Sequence, residues 1–260
     1  MERAIRDCLI VMMSCAIAVF LIPISEENLL FFSRSVQIVC LIVAATFSYA
    51  SIRKYSISSL QGKILFLLFG TYSFQVITAC FRFYNEVVLG KLPSLVDPVL
   101  AIRQGAMYAF LLLGVLIGGP FLRKTMKAPS KSMIALPAAF LVISVAGCAV
   151  AFLNGVHLGS FSELFFFLVM PVGMNAGLWI LCSFTASFEG GKLQRPWLLL
   201  ALGIFTQLSG DLAFNLTTRM GVYSVGSAID LVQIAGYLLG IYAVSKFISV
   251  IENIESQPFF

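Results

Sequence analysis

Charge is the scarcest property of this sequence. Lys, Arg, Asp and Glu make up 11% of its 260 residues, against about a quarter in a soluble domain. So few charges exclude water as the main solvent of the fold. Histidine occurs once, as His157, which excludes paired-histidine haem ligation and most zinc chemistry. Cys-x-x-Cys spacing is missing. Cys8, Cys15, Cys40, Cys80, Cys148 and Cys182 lie within or beside apolar runs and read as small hydrophobes. A lysine at mid-span near the C-terminus is also lacking, because Lys246 falls at the inner end of the last apolar run; this argues against a retinal protein. There is no Gly-x-Ser-x-Gly, no nucleophile–base pair and no phosphate-binding loop, so the sequence points neither to an enzyme nor to a cofactor. No basic–aromatic module accompanies the net charge of +5, so nucleic acid is not the expected partner.

Apolar side chains fill the space left by charge. They form 60% of the chain, with a mean hydropathy of +0.98. A hydrocarbon crossing takes roughly 20 mostly apolar helical residues. Divided at its charged and Gly/Pro/Ser-rich breaks, the chain is predicted to be an all-α integral membrane bundle of eight spans in a single membrane domain. These are Cys8 to Ile24, Val36 to Ser51, Ile64 to Arg82, Pro98 to Leu122, Met133 to Leu153, Ser162 to Phe184, Trp197 to Leu216 and Ala228 to Ser249. Pro137 and Pro171 fall inside spans, and Pro171 with Gly173 predicts a kink. Arg3 and Arg6 precede the first run as in a secretory signal, but no small-x-small cleavage site precedes Ser25.

Basic residues set the orientation, since positive loops stay in the cytoplasm. With eight spans, Arg3, Arg6, Arg53, Lys54, Lys63, Arg123, Lys124, Lys127, Lys131, Lys192, Arg195 and Lys246 share one side. Arg34, Arg82, Lys91, Arg103 and Arg219 take the other. Twelve of the 17 basic residues thus mark an N-in, C-in topology.

The halves are also alike. At an offset of 133, Gln61 through Asp97 aligns without a gap on Gln194 through Asp230. Identities are Gln61/Gln194, Leu65/Leu198, Leu67/Leu200, Gly70/Gly203, Phe81/Phe214, Ser94/Ser227 and Asp97/Asp230. An even number of spans per half predicts a four-plus-four parallel repeat, residues 1–126 and 127–260, related by an axis along the membrane normal. Gly114/Gly118, Gly173/Gly177 and Gly236/Gly240 are small-x-x-x-small pairs of the kind that bring helices together in lipid.

Polar residues within spans are the candidate site. Thr71, Gln75, Thr78 and Arg82 share a face of the third span, and Gln207, Asp211 and Asn215 share one of the seventh. An ionised Asp211 facing lipid would be costly, so it is expected to turn inward and pair with Arg82 or Arg103, either as a register-fixing ion pair or as part of a ligand site. Asp97 and Asp230 stand at predicted helix starts and are expected to cap them. Gln104/Tyr108 and Gln233/Tyr237 repeat a four-residue spacing in the fourth and eighth spans. Together Arg82, Arg103, Gln104, Tyr108, Gln207, Asp211, Asp230, Gln233 and Tyr237 are expected to line an outward polar pocket.

The run Phe83, Tyr84, Asn85, Glu86, followed by Leu92, Pro93, Ser94, Leu95, Val96, Asp97 and Pro98, resembles a segment of the polytopic sensory input regions that precede histidine kinase or diguanylate cyclase outputs. Asp211, Tyr223, Gly226, Asp230 and Gly236-Tyr237 are similar to their matching helix pair. The likeness covers about half the chain. It implies a multi-pass sensor of a bacterial or archaeal cytoplasmic membrane that signals to a cytoplasmic partner. No output domain follows before Phe260, so the output is expected on a separate signalling partner or membrane subunit. A small-solute transporter and an assembly subunit are the competing expectations.

Overall fold

The computed structural model describes residues 2–22, 25–90, 131–156, 170–224 and 227–255, with 113 and 117. Seven α-helices occupy them, with no strand among the described residues. They are α1 (Glu2–Leu21), α2 (Glu26–Tyr55), α3 (Leu60–Phe83), α4 (Lys131–Leu153), α5 (Met170–Ser187), α6 (Gln194–Arg219) and α7 (Ala228–Glu255). Five stretches are long and apolar enough to cross a bilayer: Glu26–Tyr55, Leu60–Val88, Ile134–Leu153, Gln194–Arg219 and Ala228–Val250. The predicted span from Pro98 to Leu122 lies outside the described residues, apart from 113 and 117.

The second helix departs most from expectation. It was predicted from Val36, with Arg34 in an outer loop, but α2 runs for 30 residues from Glu26 and buries Arg34. Charge at Glu26, Glu27 and Arg34 made the segment look too polar to cross. Glu26 and Glu27 stand in the first turn and Arg53 and Lys54 in the last, the placement that complements the helix dipole. Buried positions 34, 37, 41, 44, 48 and 51 recur at alternating intervals of three and four, which is the seam of a closely packed helix. Along it Ala44, Ser48 and Ser51 are small, and the two serine hydroxyls donate to carbonyls one turn back, Ser48 to Ala44 O at 2.8 Å and Ser51 to Phe47 O at 2.9 Å.

A tight turn reverses the chain into α3. Ser56 adopts φ 58°, and the Ser59 hydroxyl accepts from the Gly62 amide at 2.9 Å, a side-chain N-cap. A Cβ on Gly62 would lie 1.9 Å from the Ser56 carbonyl oxygen, so only glycine fits. At its other end α3 widens into a π-turn, Tyr84–Val88, an irregularity frequent at functional sites. It carries Glu86.

The centre of the molecule is the antiparallel pair α6 and α7. Cβ atoms built on Gly203 and Gly236 would meet backbone of the opposite helix, at 2.9 Å from Gly240 N and 2.7 Å from Gln207 N. The close approach expected of Gly236 is thus made against Gln207. Gly240 instead makes room for the Tyr72 hydroxyl, 2.6 Å from such a Cβ. Gly221, at φ 69°, ends α6, with its amide on Thr218 O and that of Val222 on Thr217 O, a glycine C-cap. Below, Trp197 stacks on Phe184 (5.4 Å between centroids, 18°) and meets Phe247 edge-on at 5.0 Å.

Apolar side chains cover the outside as well. Val11, Leu21, Phe81, Val142, Val145 and Val172 are all more than half exposed, while Arg34, Asp230 and Gln233 are at most 1% exposed. A chain with polar groups inside and valines outside is arranged for lipid.

Candidate functional site: a buried charge network

Arg34 joins three elements at one end of the bundle. Its Nε donates to Glu86 Oε2 at 2.6 Å, its Nη1 to Asp230 Oδ1 at 3.4 Å and its Nη2 to the Tyr223 hydroxyl at 3.1 Å. Arg82 donates from Nε to the other Glu86 oxygen, Oε1. One carboxylate is therefore shared by two guanidinium groups, from α2 and α3. Glu86 stands four residues after Arg82, inside the π-turn, and from there also reaches Arg34 of α2. Burying any of these charges alone would be prohibitive, and together two cations and two anions offset one another.

Asp230 was expected to cap α7. It lies instead in the first turn, with its amide bonded to Ser227 O, and its carboxylate is taken up by tertiary partners. The Tyr223 hydroxyl, on the α6–α7 connection, is 2.9 Å from Asp230 Oδ1 and 3.2 Å from Oδ2. A buried arginine attracted that carboxylate more strongly than free backbone amides could.

Burial raises the pKa of Tyr223, opposed by Arg34 and Arg82 and reinforced by Asp230. Its hydroxyl therefore holds its proton more tightly folded than unfolded. The stabilisation is complete below about pH 10, the ordinary tyrosine value, and is lost as pH rises through the folded one. In alkaline titrations followed by tryptophan fluorescence, Tyr223→Phe is expected to lose less stability above pH 10 than the unaltered chain.

A second layer lies deeper. Gln37 Nε2 donates to Gln233 Oε1 at 3.3 Å, and Gln233 Nε2 donates to Asp211 Oδ1 at 2.9 Å, linking α2, α7 and α6. Gln207 Nε2 donates to Gln75 Oε1 at 3.3 Å. The Arg82 guanidinium also lies 4.2 Å from the Phe214 ring centroid, and Phe214 meets Tyr223 edge-on at 4.8 Å. Tyr237 sits lower, buried in an apolar cluster with Tyr72 and Leu41.

Of the residues expected to line the pocket, Arg82 and Asp230 therefore both reach Glu86 or Arg34, Asp211 and Gln233 bond one another, and Gln207 meets Gln75. Arg103, Gln104 and Tyr108 lie outside the described residues, as does the pairing of Asp211 with Arg103. Arg34, Gln37, Glu86 and Tyr223 belong to the network but not to the expected pocket, and Gln75, expected on the polar face of the third span, joins the network too. The three-and-four spacing from Arg34 to Ser51 was the signal that could have placed Arg34 in a buried face.

Buried ion pairs inside an all-helical bundle with an apolar exterior define an integral membrane protein. Beyond that class, comparison with protein-family models, with curated proteins and with solved structures finds no match to this chain.

Proposed function

We propose that the chain is a non-enzymatic membrane sensor, in which the network around Arg34 and Glu86 perceives a signal and α2 with α7 carries it to the opposite face. The observation that supports this most is the coupling of those two helices at both ends. Arg34–Asp230 and Gln37–Gln233 join residues 196 positions apart, and Lys54–Glu252 joins residues 198 apart. A constant separation means that the helices run parallel. A shift at the network therefore moves the Lys54–Glu252 pair, with Tyr55 donating to Phe247 O at 3.1 Å beside it. The likeness to sensory input regions favours the same reading, with a cytoplasmic signalling protein or membrane subunit as the partner.

The eight-span, N-in and C-in repeat belongs to this proposal. Contacts Gln75–Gln207 and Arg82–Phe214 both span 132 positions, close to the repeat offset, so α3 and α6 run parallel. Phe140 meets Phe205, and Gly147 faces Leu216, so α4 runs with α6 too. Three helices with one direction support a further crossing between α3 and α4, where the sequence predicts the span from Pro98 to Leu122. A near-offset contact at Gln75–Gln207 is also what a twofold axis between the halves would produce.

Spin labels on Lys54→Cys and Glu252→Cys in a background without the native cysteines test the coupling. Glu86→Gln is expected to broaden or shift the distance distribution between labels at the far end of α2 and α7, about 30 Å along α2 from Arg34 at the rise of a helix. An unchanged distribution would remove the transmission argument. A small-solute transporter is the alternative, favoured by the parallel repeat and by Asp211; uptake into proteoliposomes that Asp211→Asn abolishes would establish it.

A further inference from the structure

We infer that the outer end of the network is a binding site for a small monocarboxylate, received by Arg82. This rests on the sensor reading only for its consequence, since binding itself requires no signalling. Arg82 is nine-tenths buried, and its Nη2 has no hydrogen-bond partner. Its Nε is spent on Glu86, and one face of the guanidinium lies over Phe214. What is left is the terminal edge, where a planar carboxylate makes charge-assisted hydrogen bonds.

Other unpartnered donors belong to the same end. The buried hydroxyls of Ser33, Thr218 and Ser227 also lack partners; Ser33 precedes Arg34, Thr218 is in the last turn of α6, and Ser227 immediately precedes α7. Buried polar atoms are rarely left unsatisfied, and unpartnered donors toward one end of the bundle point to an acceptor-bearing guest. All four can donate, which selects a ligand with oxygen acceptors.

Charge narrows the class. Arg34 meets two carboxylates, Asp230 and Glu86, and shares Glu86 with Arg82, whose single anionic contact among the described residues it is. The two arginines and two carboxylates already balance, so a guest brings its own charge into a medium that penalises each surplus one: a monocarboxylate adds one and a phosphate dianion two. An aromatic pair, Phe214 with Tyr223, borders the guanidinium and favours a carboxylate on an apolar or aromatic body.

The full chain in phosphatidylcholine nanodiscs is titrated with acetate, benzoate, benzamide and inorganic phosphate, and binding is read by calorimetry. Saturable binding of benzoate or acetate, at least tenfold tighter than benzamide or phosphate and weakened at least tenfold in Arg82→Gln, is expected. Should Arg82→Gln fail to fold, carbon–nitrogen dipolar recoupling between carboxyl-13C benzoate and 15N-arginine in the unaltered chain must place the carboxyl carbon beside a guanidinium. Equal binding of benzamide, preference for phosphate, or no saturable binding would overturn the assignment, as would 13C benzoate remote from arginine. Repeating the titration in nanodiscs containing phosphatidylglycerol tests a lipid source: unchanged benzoate affinity there supports the soluble anion, and displacement of benzoate by the phosphatidylglycerol phosphate opposes it. Carboxylate binding without any change at Lys54 and Glu252 would defeat the sensor reading and leave this one standing.

Discussion

Glu86→Ala is expected to be the most damaging single substitution in this protein, costing about 3–5 kcal/mol, the usual penalty for stranding a buried charge. Arg34 and Arg82 both rely on that carboxylate, and neither is near water, with side chains 2% and 9% exposed. Because Arg34 keeps Asp230, the loss should fall mostly on the seat of Arg82. Glu86→Gln keeps the shape and one acceptor, so it should cost less than the alanine. Reversible unfolding by sodium dodecyl sulfate in bicelles measures both. An added Arg82→Met should recover part of what Glu86→Ala loses, since it removes the stranded cation, whose single anionic contact among the described residues is Glu86. A double variant as weak as the sum of the two singles would mean that the pair is not coupled.

Gly236→Val is the second large effect, and it acts through shape alone. A first carbon at this position would lie 2.7 Å from the Gln207 amide nitrogen and 2.9 Å from its Cα. Those are backbone atoms of α6, so nothing yields by rotating a side chain. Helices α6 and α7 must part, and the glutamine layer parts with them, because Gln207 is bonded to Gln75 and Gln233 to Asp211. Overpacking costs about 1–3 kcal/mol in a core with room to adjust; here the upper end or more is expected. Gly236→Ala should already show a clear loss in the same unfolding assay. Wild-type stability in either variant would mean that the helices do not approach as described.

These two sites differ in how far they could be read from the chain alone. Glycines at 236 and 240 on one helical face signal close packing from spacing, whatever the partner. The partner itself was not legible, since Gly236 meets Gln207 and Gly240 meets the Tyr72 hydroxyl, two surfaces distant in sequence. Glu86 was visible only as part of a family-like run. Its role depends on a π-turn that rotates it by the width of one extra residue, and periodicity assumes a regular helix. Arg34 was misplaced for a related reason. Hydropathy counts a charged residue against a span, yet α2 carries one inside because Glu86 and Asp230 come to meet it.

Composition decided what solvent this protein occupies and therefore its class. With so few charges and so many apolar side chains, backbone groups must satisfy one another within helices, and that holds for any arrangement of them. Local patterns likewise fixed most helix positions, as with α4, predicted from Met133 to Leu153 and found as Lys131–Leu153. Which charge meets which was settled only in three dimensions. Arg34, Glu86 and the neighbouring Tyr223 and Asp230 come from three separated segments, and in hydrocarbon the energy of each charge depends on the distance to its counter-charge, a quantity that no stretch of sequence contains.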